Sequence, residues 1–130
     1  MIYLHSSALV KLAVTEPETA PLASYLAERA GQSLVSSALH RAEVLRAVWQ
    51  AEPGALPRAQ RIIRRISLVA LSHELLDNAG TVPPEALPTA AAIHLAAALT
   101  IKRDLTAFIC YDQQLTAAAA AAGLPVAAPA

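Results

Sequence analysis

The sequence predicts an α/β fold three layers deep, with a central, mostly parallel sheet covered by helices on both faces. Two observations carry this. Short apolar runs of strand type alternate with longer helical segments, the order that builds parallel βαβ units. Hydrophobic residues make up 55% of the chain and charged residues 15%, enough apolar surface to cover a sheet twice and to exclude disorder. At 130 residues and 13.6 kDa, positions 1–130 are expected to form a single domain.

Ile2-Tyr3-Leu4 reads as a first strand, after which Ser7 is expected to cap a helix from Ala8 to about Val14. Thr15-Glu16-Pro17-Glu18 starts the next helix, with acids at its positive end and proline early, and Gly31 stops it after Ala30. Leu34-Val35 is either a very short strand or the entry to a helix that Ser36-Ser37 cap and Pro53-Gly54 end. Pro57 opens a helix from Arg58 to Arg65, the run from Ile66 to Leu71 reads as a strand, and Ser72 caps a short helix to Ala79. Breakers from Gly80 to Pro84 form the largest interruption, too central and too short for a domain boundary. Thr89 is expected to cap a long helix to about Arg103. Thr106 to Cys110 is the clearest strand, Asp112 lies just past it, and a helix to Ala122 is stopped by Gly123 before an edge strand at Pro125-Val126-Ala127. Alanine is about a quarter of the chain, so the run from Ala117 to Ala122 reads as ordinary helix.

Ten basic residues balance ten acidic ones, and the pI is about 6.9. That excludes nucleic-acid binding by bulk charge and confines any such contact to a local patch. A lone Cys110 excludes a disulfide framework and a cysteine zinc site and suits the reducing cytoplasm. No basic region precedes the first apolar residues, so no secretory leader is expected. The longest apolar stretch, Ala90 to Ile101, is interrupted by His94 and Thr100 and falls short of the ~18–20 residues that span a membrane.

In parallel α/β sheets the reactive crevice opens beyond the carboxyl ends of the strands. That rule points to His5-Ser6 and to Asp112, with Glu43 brought in on the helix that follows Ser37. Two acids and a histidine, distant in sequence but convergent in such a fold, can hold a divalent cation.

Met1-Ile-Tyr-Leu-His-Ser-Ser-Ala-Leu-Val-Lys-Leu resembles the opening of PIN-domain toxins of the VapC family, in which the first strand ends in Asp. His40-Arg-Ala-Glu-Val-Leu-Arg-Ala resembles the family's second motif, whose Glu matches Glu43. Pro88-Thr-Ala-Ala-Ala-Ile-His-Leu-Ala-Ala-Ala is similar to the third, usually Leu-Asp-Ala-Ile-His-Leu-Ala, and Phe108-Ile-Cys-Tyr-Asp-Gln-Gln-Leu is similar to the fourth. The likeness spans nearly the whole chain, in order. It implies a PIN-like α/β/α sandwich and a metal-dependent endoribonuclease, in which four acids bind one or two Mg²⁺ or Mn²⁺ ions that activate a water. It also implies an RNA substrate, a VapB-type antitoxin whose tail enters the same cleft, and a homodimer.

The chain departs from that pattern at two acids: His5 stands where the first strand should end in Asp, and Ala91 where the third motif has Asp. Glu43 and Asp112 remain as metal and catalytic candidates. Mg²⁺ prefers hard oxygen ligands, so the loss weakens its site, whereas the His5 imidazole suits Mn²⁺, Zn²⁺ or Ni²⁺ better. Glu43 is read as a site residue because Ala42, Val44, Leu45, Ala47 and Val48 leave it few polar neighbours. Asp112 combines a site role with a helix cap. Ser6 is placed to bond a site carboxylate or water, while His94, among Ala90, Ala91, Ala97 and Ala98, reads as structural.

Arg58, Arg61 and Arg65, with Arg64 beside them, form a basic stripe: a solvated face, or a contact for RNA phosphates or an acidic antitoxin segment. Leu22, Tyr25, Leu26 and Trp49 read as core packing rather than a partner surface. Aromatic residues are 4% of the chain, which argues against a base-stacking platform. Three functions follow: a ribonuclease working through Glu43, Asp112 and His5; a non-catalytic PIN-like fold that binds an antitoxin or RNA; or an inactivated variant of an active toxin.

Overall fold

The computed structural model describes residues 1–130. Its strands are β1 (Ile2–Leu4), β2 (Leu34–Ser37), β3 (Ser67–Val69), β4 (Ala107–Ile109) and β5 (Val126–Ala127). They form one sheet in the order β3-β2-β1-β4-β5, and every neighbouring pair is parallel. The helices are α1 (Ser6–Ala13), α2 (Thr19–Ala27), α3 (His40–Ala51), α4 (Leu56–Ile63), α5 (His73–Ala79), α6 (Thr89–Thr100) and α7 (Gln113–Ala121).

Alternation along the central strands divides the core into two layers. Ile2 and Leu4 of β1 and Ala107 and Ile109 of β4 face a cluster with Leu9, Val44, Val48 and Ile63 from α1, α3 and α4. Tyr3, Phe108 and Val35 face the opposite cluster, with Leu75, Leu95 and Leu115 from α5, α6 and α7. All three residues of β1 and all three of β4 are buried, as strands covered on both faces must be. No helix is long and apolar enough to cross a membrane.

Several sequence expectations are corrected. The N-cap of α1 is His5, whose side chain accepts from the Ser7 amide, so the helix starts at Ser6 and the cap is not Ser7. Ser36 and Ser37 do not cap a helix; they belong to β2, where Ser36 pairs with Leu68 and Ser37 with Val69. Flanking strands on both sides decide this against the serines' own preference for caps. The helix α2 is shorter than the span from Thr15 to Ala30, α4 ends at Ile63 before Arg65, and β3 keeps only Ser67–Val69. At α6 the N-cap is Pro88, not Thr89, and the helix ends at Thr100, with a 3-10 turn at Lys102–Asp104. Trp49 is 56% exposed and lies outside the core, whereas Leu22 is fully buried.

Gly123 closes α7 with φ +85°, the left-handed region that side chains rarely adopt, and Lys102 Nζ donates to the Ala122 carbonyl there at 2.9 Å. That stop turns the chain directly into β5.

Candidate active site at the end of the central strand

Connections from β1 lead to β2 on one side while β4 joins it on the other, so the strand order reverses beside β1. A crevice opens at the carboxyl ends of the strands at such a point. His5 follows β1 there and Asp112 follows β4, and each caps the helix after it.

Asp112 Oδ1 accepts the Leu115 amide at 3.0 Å, which makes the carboxylate the N-cap of α7 and places it at the positive end of the helix. Its side chain is solvent-facing, since Asp112 is exposed. His5 Nδ1 accepts the Ser7 amide at 3.2 Å and lies 2.9 Å from the Ser7 hydroxyl. An acceptor role for Nδ1 puts the proton of the neutral ring on Nε2. Burial, opposed by Glu43 and Asp112, lowers the His5 pKa to about 4, so the ring is neutral near pH 7.

Glu43 sits in the first turn of α3 and is half-buried. Its Oε1 accepts from Ser6 Oγ at 2.8 Å and from His94 Nε2 at 2.6 Å. Burial alone would raise its pKa, but the hydrogen bonds from His94 and Ser6 together hold it below the usual carboxylate range. His94 is fully buried, and its other nitrogen, Nδ1, meets the Tyr3 hydroxyl at 2.7 Å. The Tyr3 oxygen in turn accepts the Ser37 amide at 3.0 Å, and burial pushes its pKa well up, so it remains a hydroxyl donor. His94, expected to be structural, is buried and is the hydrogen-bond partner of Glu43. A lone imidazole on an otherwise apolar helix needs a polar partner, and that requirement was the available signal. Tyr3 was hidden because a strand tyrosine reads as core, which it also is: its ring stacks on Phe108 at 5.1 Å.

Ala91 lies one turn before His94 and is buried among apolar neighbours. His40, at the start of α3, is also buried; its Nδ1 donates to the Ser37 carbonyl at 2.9 Å and its Nε2 has no partner. The arginine stripe is not brought to this centre. Arg58, Arg61 and Arg65 line a separate concavity of about 330 Å³ with Leu12 and Ile62, near the far end of α1 from Ser6. The largest cavity, about 680 Å³, lies between α5, the loop over Gly80 to Pro84 and α6, and contains none of the predicted site residues.

Among characterised proteins, Ribonuclease VapC46 of Mycobacterium tuberculosis (strain ATCC 25618 / H37Rv) is 43% identical over 128 residues, 98% of this chain and 97% of that one. Ribonuclease VapC47 of Mycobacterium tuberculosis (strain CDC 1551 / Oshkosh) is 39% identical over 132 residues, covering 99% and 97%. The chain belongs to the VapC family. A crystal structure of VapBC2 from Rickettsia felis, bound to a DNA fragment from their promoter, contains a chain that matches the whole of this one with a TM-score of 0.72 at 13% identity. The VapC PIN fold is therefore shared far beyond sequence similarity. No family profile matches the chain.

The donor set does not fit the Mg²⁺ or Mn²⁺ that VapC membership implies. No three His, Cys, Asp or Glu side chains converge to hold a metal ion. Glu43 Oε1 is engaged by Ser6 and His94, Asp112 Oδ1 by the α7 amide, and His5 Nδ1 by Ser7. The proton on His5 Nε2 makes that atom a donor, not a ligand.

Proposed function

We propose that this chain is the toxin half of a VapC-type toxin–antitoxin pair, a single PIN domain over 1–130 whose RNA-cleaving centre is disarmed and whose retained role is to bind a VapB-type antitoxin. The observation that carries this is at the end of β1: a neutral imidazole with its acceptor nitrogen turned to Ser7 occupies the place of the first VapC acid. Ala91 removes a second acid. Glu43 and Asp112 are the surviving catalytic residues, and weak Mg²⁺ or Mn²⁺ binding through water is the most that their free oxygens support. A cytoplasmic homodimer completes this reading. Ser6 and the stripe of Arg58, Arg61 and Arg65 are its candidate contacts with RNA or antitoxin, the unpaired arginines offering charge to a polyanion.

The test is RNA cleavage by the chain beside a His5→Asp, Ala91→Asp double variant, first in Mg²⁺ and then in Mn²⁺, with complex formation by the cognate antitoxin followed in parallel. Cleavage by the double variant alone, with antitoxin binding by both proteins, is expected. Cleavage by the unmodified chain that Glu43→Gln abolishes would overturn the disarmed reading.

A further inference from the structure

We infer that Glu43 is fixed by the protein itself and not by a cation, through a clamp in which Ser6 and His94 hold its carboxylate and Tyr3 keys His94. The proposal concerns the positioning of Glu43 and stands whether or not the chain cuts RNA.

Hydrogen-bond direction settles how the clamp works. The Ser37 amide donates to the Tyr3 oxygen, which leaves the Tyr3 hydroxyl proton for His94 Nδ1 at 2.7 Å. With Nδ1 accepting, His94 Nε2 carries a proton and donates it to Glu43 Oε1 at 2.6 Å. Ser6 Oγ donates to the same oxygen at 2.8 Å. Every donor in the chain therefore points toward one carboxylate oxygen, which is satisfied with no metal present. Bonds to an ionised acceptor are about twice as strong as neutral ones, and the chain polarises along its length.

Burial makes the arrangement rigid. Tyr3 and His94 are fully buried and Ser6 is 7% exposed, so none of the three can turn to water instead. The His5 ring closes over His94 at 4.5 Å between centroids. The clamp also crosses the sheet: Ser6 and Glu43 come from α1 and α3 on one face, and His94 comes from α6 on the other. His94 and Tyr3 are thus positioning residues for Glu43.

Thermal unfolding of the intact chain in EDTA, then in millimolar Mg²⁺ and Mn²⁺, tests the inference. A ligand at a hundredfold excess over its Kd raises Tm by roughly 10 °C in a domain of this size. No shift is expected, and a shift that persists in Glu43→Gln would arise elsewhere and leave the clamp standing. A rise lost in Glu43→Gln would overturn it. Should that variant fail to fold, the unmodified chain decides by proton NMR. The clamp requires a slowly exchanging, downfield His94 Nε2–H resonance in EDTA, unchanged by Mg²⁺, and its appearance only after Mg²⁺ is added would overturn the proposal. Neither result depends on RNA cleavage, so the clamp and the disarmed reading fail separately.

Discussion

At the scale of single residues, His5 has the largest consequence. The imidazole ordinarily takes a proton near pH 6.5 but does so only near pH 4 in the fold. The unfolded chain therefore binds more protons between these values. The contribution is complete above about pH 6.5 and is lost as pH falls to about 4, on the order of 3 kcal/mol in all. His40, lowered mainly by burial, acts in the same direction. Glu43, held below its ordinary value, adds a loss at still lower pH as its carboxylate protonates. The variant His5→Asn keeps an N-cap acceptor but no titrating ring. Urea denaturation across pH 4–7 should show a flatter stability profile for it; an unchanged profile would place the acid sensitivity elsewhere.

At the scale of elements, stops and caps decide where the site residues point. Asp112 and His5 each cap the helix that follows a central strand, so both side chains are fixed at the sheet's carboxyl edge before any ligand arrives. Gly123 performs the complementary task at the end of α7. Gly123→Ala forces a side chain into φ +85° and places Cβ 2.8 Å from Lys102 Nζ. The lysine end can move, so the backbone term dominates, and a loss of about 1–2 kcal/mol in urea denaturation is expected. These stops were legible because glycine and aspartate carry their conformational preferences locally. The β2 serines were not, because the partners that make them strand residues, Leu68 and Val69 of β3, lie far away in sequence.

At the scale of the whole molecule, the sheet separates two apolar layers, and position relative to it predicts mutational cost better than residue type. Phe108 is fully buried and stacks on Tyr3 at the centre of one layer, so Phe108→Ala should cost about 3–5 kcal/mol. Trp49, with more surface to lose, is 56% exposed, and Trp49→Ala should stay within about 0.5 kcal/mol. Chemical denaturation of both variants checks the contrast. Equal losses would mean that Trp49 is covered in solution by a second chain.

The sequence alone determined the alternation of strands and helices, the burial of β1 and β4, and the placement of His5 and Asp112 at the strand ends. It also carried the VapC motifs and the departures at His5 and Ala91. All of these are written in local periodicity, in capping chemistry or in residue identity. Only the tertiary structure decided that Glu43 faces His94, that Tyr3 orients that imidazole, and that the arginine stripe lies apart from the centre. Those facts depend on which residues of β1, α3 and α6 meet across 91 and 51 positions of chain, and on burial that keeps Tyr3 and His94 away from water.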